Sequence, residues 1–108
     1  MDWIQMIRIC FNSEAVFYSR HARIEMKNEQ LGKIFEHEVY QAVCTGEVIE
    51  EYPDDRPYPS VLIYGKALND RPLHIVCACN NMEKLVIVVT VYQPEAELWV
   101  DYKRRKGP

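Results

Sequence analysis

Residues 73–92, LHIVCACNNMEKLVIVVTVY, contain two apolar runs, Leu73–Cys79 and Leu85–Tyr92, joined by a short turn at Asn80-Asn81. Both runs are rich in Val, Ile and other residues that favour strands. Each run is apolar at successive positions, so both of its faces need cover from water. We therefore expect the two runs to pair as antiparallel strands in the centre of a sheet.

Two further strands are predicted on the N-terminal side of this pair. Val61–Leu68 is apolar enough for a strand, and Leu68–Pro72 has the polar composition of a hairpin connection. Glu47–Tyr52 alternates roughly and carries many charges, which is typical of a half-buried edge strand. The proline-rich segment 53–59 separates these strands as a turn region.

The N-terminal part of the chain has helical periodicity instead. Asp2 and Ser19 are suitable N-caps for a first and a second helix. Apolar residues at helical spacing predict a third helix over about Phe35–Cys44, which Gly46 is placed to end.

The segment after the last strand predicts a closing helix. Gln93-Pro94 places proline at a helix start, acidic residues follow, and the basic end suits the negative pole of the helix dipole. The expected fold class is therefore α+β: N-terminal helices, then a three- to four-stranded antiparallel sheet, then a C-terminal helix.

Length and composition indicate one domain over residues 1–108. The chain is 48% hydrophobic and 27% charged, the profile of a folded globular protein. Its longest nearly apolar run, Leu85–Tyr92, is far shorter than the roughly 20 residues that cross a bilayer. The N-terminus has no basic region before an apolar stretch, so we expect no signal peptide and a cytoplasmic location.

Four cysteines, Cys10, Cys44, Cys77 and Cys79, are expected to be buried, reduced thiols. Cys77 and Cys79 share one face of a predicted strand, but a Cys-x-Cys pair without a second ligand pair is weak evidence for a metal. We expect neither a metal nor another cofactor.

Charge is distributed unevenly along the chain. Residues 1–102 contain 16 acidic and 9 basic side chains, and residues 103–106, Lys-Arg-Arg-Lys, then add four positive charges. We call residues 103–106 the basic tail. An acidic body repels polyanions unless a local patch reverses the field, and the basic tail is such a patch.

An ordered set of short motifs over about residues 17–106 resembles a family of uncharacterised small domains related to the RelE, BrnT and MqsR toxins. The motifs are Tyr18-Ser-Arg-His21-Ala22, Met26, Gly46-Glu-Val-Ile49, Tyr52-Pro-Asp-Asp-Arg56-Pro57, Pro59-Ser60, Gly65, Arg71-Pro-Leu-His74-Ile-Val76, Thr90-Val-Tyr92-Gln-Pro94 and Trp99.

This resemblance implies a RelE-like fold. It also implies metal-independent cleavage of messenger RNA, on or off the ribosome, and neutralisation by an antitoxin encoded beside the toxin. The chain departs from the family pattern in one place. Where family members commonly carry arginines in the helix after the histidine, this chain has Glu25 and Glu29, which weakens the expectation that this helix binds RNA.

Three residues are candidates for metal-free acid–base catalysis, which needs a base, an acid and a cation. His21 lies in the first turn of its predicted helix, where the dipole favours neutral imidazole. His74 is a polar residue in a very apolar strand, and Tyr92 ends the next strand. Each has a structural alternative: a helix-start contact for His21, a hydrogen-bonded core position for His74 and amphipathic packing for Tyr92.

Candidate RNA or phosphate contacts are Arg56, Lys103, Arg104, Arg105 and Lys106. Arg56 alternatively pairs with neighbouring carboxylates, and the basic tail alternatively serves as a solubilising end.

Two functional hypotheses follow from the sequence. The first is a toxin-like, metal-independent endoribonuclease of a type II toxin–antitoxin module, or a degenerate relative. The second is a non-catalytic protein-interaction module with a RelE-like fold.

Overall fold

A computed structural model describes residues 2–107 of the chain. Three helices precede most of the strands. The elements are α1 (Trp3–Asn12), β1 (Val16–Tyr18), α2 (Arg20–Asn28), α3 (Glu36–Thr45), β2 (Glu47–Tyr52), β3 (Ser60–Lys66), β4 (Pro72–Asn80), β5 (Leu85–Tyr92), β6 (Trp99–Val100) and β7 (Arg104–Arg105). Among these described residues, no helix has the length and apolar content that a membrane crossing requires.

Strands β4 and β5 form the centre of a five-stranded sheet with the order β1-β5-β4-β3-β2. They pair antiparallel, from His74 opposite Tyr92 to Asn80 opposite Leu85, with a bulge between Val76 and Cys77. The predicted central antiparallel pair is therefore confirmed. Strand β2 lies at one edge, as its charged composition predicts.

The sheet departs from the prediction because it is mixed and has five strands rather than three or four antiparallel ones. The additional strand is β1, which pairs parallel with β5 at Val16 opposite Val86. Three residues between two helices are too short to give a periodic signal. A turn at Glu14, whose φ is +57°, directs this segment alongside β5.

The predicted C-terminal helix is wrong. Strands β6 and β7 instead form a two-stranded hairpin, with Trp99 opposite Arg105. The chain reverses at Asp101 and Tyr102, where φ is +54° and +61°. Because Trp99 is buried against the sheet, packing of this residue overrides the helix-start signal of Pro94.

The helix starts are as predicted. The side chain of Asp2 accepts a hydrogen bond from the Gln5 backbone N–H, and Ser19 Oγ accepts one from the Ala22 N–H. Helix α3 is also near its predicted bounds. It packs so closely on β3 that a Cβ at Gly65 would lie 1.9 Å from the Ala42 carbonyl oxygen, which only glycine avoids.

A buried ion pair joins the helices to the sheet at one end. Arg71, which directly precedes β4, has Nη1 3.2 Å from Glu38 Oε1 on α3. The same guanidinium donates to the Lys33 carbonyl and to Gln93 Oε1. Exposure of the two side chains is 12% for Arg71 and 7% for Glu38, so each charge depends on the other for its solvation.

Replacing Arg71 by methionine is expected to lower the free energy of unfolding by about 3 kcal/mol, because it leaves a buried carboxylate without its cation. Lys66→Met is the matched control, since Lys66 pairs with Asp70 at the exposed surface and its loss is expected to cost under about 1 kcal/mol. Urea denaturation of both variants measures the difference. Equal losses would contradict the role given to the buried pair.

Candidate functional site

His74 and Tyr92 lie side by side on the face of the sheet that the C-terminal hairpin covers. They occupy opposite positions in β4 and β5. Tyr64 of β3 lies opposite His74 on its other side, so the three rings form one row across the sheet. Trp99 of β6 packs edge-on against the His74 ring, with centroids 4.4 Å apart.

Both ring nitrogens of His74 are engaged in hydrogen bonds. Nε2 is 2.6 Å from the Tyr102 carbonyl oxygen, and Nδ1 is 3.0 Å from the Tyr92 hydroxyl. A carbonyl oxygen only accepts, so Nε2 must carry the proton and donate it. In the neutral ring, Nδ1 then accepts from the Tyr92 hydroxyl. His74 is fully buried, at 0% exposure.

Burial lowers the pKa of His74, and this effect outweighs the Tyr102 carbonyl and the Glu50 carboxylate, which both favour the charged ring. Burial also raises the pKa of Tyr92. Both groups are therefore held in their neutral forms. His74 is thus a hydrogen-bonded polar residue inside the fold, and Tyr92 is half-buried beside it.

A second polar cluster lies beside this pair, on β2 and the hairpin. Arg105 donates to Glu50 at 3.0 Å and stacks over the Trp99 ring at 4.7 Å, while Tyr52 donates a hydrogen bond to the same carboxylate. Burial raises the pKa of Glu50, but the hydrogen bonds from Tyr52 and Arg105 outweigh it and lower the pKa overall. Burial and Glu50 raise the pKa of Tyr52 to about 12.

The basic tail is only partly available to a ligand. Arg105 is paired with Glu50, and Lys103 Nζ lies 3.1 Å from Glu47. Arg104 and Lys106 are exposed and have no ion pair within residues 2–107. Half of the predicted cationic patch is thus neutralised by the edge strand β2.

His21 is separate from His74 and Tyr92 and makes no hydrogen bond to either within the described part of the chain. It lies on α2 with Nε2 3.3 Å from Glu25 Oε2, and its side chain is 67% exposed. The other oxygen of Glu25 accepts the backbone N–H of Val91 at 3.1 Å. Of the predicted catalytic residues, the fold therefore brings together His74 and Tyr92 only.

Glu25 and Glu29, which stand where the family pattern has arginines, turn their carboxylates toward the sheet. Both carboxylates point to the end of β5, where Glu29 accepts the Gln93 N–H at 2.8 Å. The outward face of α2 carries Arg20, Arg23 and Lys27, all exposed. Sequence reasoning missed this basic stripe, although the i, i+3, i+7 spacing was sufficient to find it.

The predicted phosphate contact Arg56 lies far along the chain from the basic tail. Arg56 is exposed in the β2–β3 connection and forms no ion pair with residues 2–107, so the predicted pairing with nearby carboxylates is not seen there.

Cys10, Cys77 and Cys79 are buried free thiols, as expected, whereas Cys44 is exposed. Burial raises the pKa of Cys77 well above its usual range, so this thiol stays protonated and unreactive.

These features define a small α+β domain with a mixed sheet and a buried histidine surrounded by aromatic side chains under a C-terminal hairpin. A family model described as a domain of unknown function, DUF4258, matches residues 18–93. The chain belongs to the DUF4258 family, and the match lies within the span of the motifs found above. No curated protein and no solved structure matches the chain.

The neutral His74 predicts that the protein loses stability as the pH falls below about 6.5, the ordinary histidine pKa. The unfolded chain binds this proton more readily than the folded one, so the loss begins below 6.5 and ends below the lowered folded pKa. One histidine changes the free energy of unfolding by at most about 1.4 kcal/mol per pH unit. Urea denaturation between pH 7.5 and 5 measures it.

His74→Gln should remove this pH dependence, because the amide retains a donor for Tyr102 and does not titrate. The Glu50 contribution falls in a separate range, below its ordinary pKa of 4.5. If the variant does not fold, the ring resonances of His74 in the wild-type protein provide the test. Titration of that ring at or above pH 6.5 would contradict the assignment.

Proposed function

We propose that this chain is a non-catalytic protein-interaction module, a degenerate relative of the RelE-type toxins that keeps a RelE-like fold. The observation that carries the proposal is the hydrogen-bonding of His74. A general acid or base needs a ring nitrogen within reach of a substrate proton. Both nitrogens of His74 are occupied by Tyr92 and Tyr102 in a fully buried position.

The position of the basic tail supports the same proposal. Toxin-like cleavage of RNA requires cations free to hold phosphates. Here Lys103 and Arg105 are paired with Glu47 and Glu50, and Arg105 also closes the hairpin over Trp99. These ion pairs hold the C-terminal segment on the sheet, so the two cations have a structural role.

A second candidate function is favoured by a specific observation on α2. The exposed His21–Glu25 pair lies beside Arg20, Arg23 and Lys27, of which Arg23 is paired with Glu36. This places a proton-transfer group near two cations that have no ion pair within residues 2–107. In this reading the chain is a metal-independent endoribonuclease acting on messenger RNA, with His21 rather than His74 as its acid or base. A neighbouring gene would then encode its antitoxin.

Induction of the chain without any neighbouring gene is expected to leave growth unchanged, and the purified protein should leave messenger RNA intact with or without ribosomes. The reason is that His74 is fully buried and both of its ring nitrogens are hydrogen-bonded. Growth curves and mapping of RNA 5′ ends, with EDTA present, are the measurements.

Growth arrest with RNA ends carrying 2′,3′-cyclic phosphate would overturn the proposal and favour the second candidate. Two variants then separate the residues. His21→Ala should abolish cleavage, with a loss of about 10²-fold or more for a proton-transfer group, while His74→Gln should preserve it in whatever fraction of the protein folds. The reverse outcome would return His74 to the catalytic role.

A further inference from the structure

The edges of the sheet differ in how they are protected against pairing with another chain. Strand β2 carries Glu47, Glu50 and Glu51 and has a bulge after Val48. Charges and bulges of this kind prevent edge-to-edge association. Lys103 and Arg105 of the hairpin also lie against this strand. This edge is closed to an incoming strand.

Side chains protect the end of β5 that extends past β1. Beyond the short strand β1, the backbone N–H groups of Val91 and Gln93 have no strand beside them. Glu25 accepts the first at 3.1 Å and Glu29 accepts the second at 2.8 Å. Two carboxylates, Glu25 of α2 and Glu29 directly after that helix, therefore replace the missing backbone partner.

Strand β1 has no such protection. The Ala15 carbonyl accepts from Val86, and the Ser19 N–H donates to Val88, at 3.0 and 2.9 Å. In a parallel ladder with this register, the backbone groups of Val16 and Tyr18 point away from β5. Within residues 2–107 these two N–H and two C=O groups have no hydrogen-bond partner, and β1 carries neither a charge nor a proline.

A groove of about 330 Å³ lies along this open edge. Its lining residues come from α1, β1, α3 and the turn before β1. They are Phe11, Glu14, Val16, Tyr18, Glu36 and Tyr40. On the other face of β1, Phe17 is 62% exposed. An added strand would thus find apolar contacts on both faces.

We propose that β1 is the docking edge for an extended segment of a partner protein that alternates apolar and basic residues. The proposal rests on the proposed interaction function and names its surface. Main-chain bonds to Val16 and Tyr18 would extend the sheet by one strand. The basic side chains would enter the groove toward Glu14, and the apolar ones would pack beside Phe17 on the other face. The lining includes two carboxylates, but Glu36 is paired with Arg23, whose guanidinium lies over the Tyr18 ring at 5.3 Å. Glu14 is therefore the main charge for a basic partner.

A second copy of this chain fits the edge less well. Residues 1–102 carry seven more acidic than basic side chains, so pairing at β1 would bring two acidic bodies together. The basic tail cannot offset this repulsion, because it lies against β2 at the opposite edge of the sheet. A separate basic segment meets Glu14 without this cost.

The test uses a capped six-residue peptide that alternates valine and lysine, with a valine–glutamate peptide of equal length as control. We expect the lysine peptide to bind and to shift the amide resonances of Val16, Phe17 and Tyr18, and the glutamate peptide not to bind. Glu14→Lys should weaken binding roughly fivefold, the upper range for one exposed ion pair. Glu51→Lys, the same change on β2, should have no effect.

Several outcomes would overturn the proposed docking edge. These are absence of lysine-peptide binding, resonance shifts at β2 instead of β1, or equal binding of the glutamate peptide. A dimer in sedimentation equilibrium that Val16→Pro dissociates would assign the edge to a second copy and also overturn it. RNA cleavage by a chain that still binds the peptide would overturn the proposed function alone. An RNA-inert chain that fails to bind the peptide would overturn the edge alone.

Discussion

Strands β4 and β5 present apolar side chains to both faces of the sheet, so both faces must be covered from water. Most of the architecture provides this cover. Leu73, Ile75 and Val88 belong to the core that the helices cover, where all three are fully buried. The opposite face is covered by the segment after β5, whose Trp99 packs on His74. A strand pair exposed on one face would leave several apolar residues in water, at a free-energy cost of about 25 cal/mol for each Å² of apolar surface. The C-terminal hairpin is therefore part of the core cover.

Polar groups inside this arrangement hold its parts in register. Arg71 and Glu38 join the start of β4 to α3, and His74 joins the same strand to the Tyr102 carbonyl of the hairpin. Each would be costly to leave unpaired when buried. Within the described residues, every buried side-chain nitrogen and oxygen has a hydrogen-bond partner. The hydrogen bonds that stabilise buried His74 also occupy both of its ring nitrogens. This connects the packing to the proposed function.

The sequence was sufficient for the elements that carry strong local signals. The central strands, the edge strand β2 and the helix caps Asp2 and Ser19 followed from apolar runs and capping residues. The strand β1 and the hairpin did not, because their conformations depend on contacts far along the chain rather than on local pattern. In the candidate site, His74 and Tyr92 were identified from the sequence as candidate catalytic residues. The Tyr102 carbonyl that accepts the hydrogen bond from His74 could not be identified, because it is a backbone group in a distant turn. The inward direction of Glu25 and Glu29 was hidden for the same reason.

The parallel pairing of β1 with β5 has a consequence for how the chain folds. Ser19 Oγ donates to the Val89 carbonyl, a contact between residues 70 positions apart. During synthesis, α1, β1, α2 and α3 emerge before the strands on which they pack. Contacts of long sequence separation form slowly, because the intervening loop must be closed first. Helix α2, which packs on β5, therefore keeps its apolar face uncovered until the last third of the chain has been made, whereas α3 can pack on β3 earlier. During that interval, chaperones have a natural point of engagement.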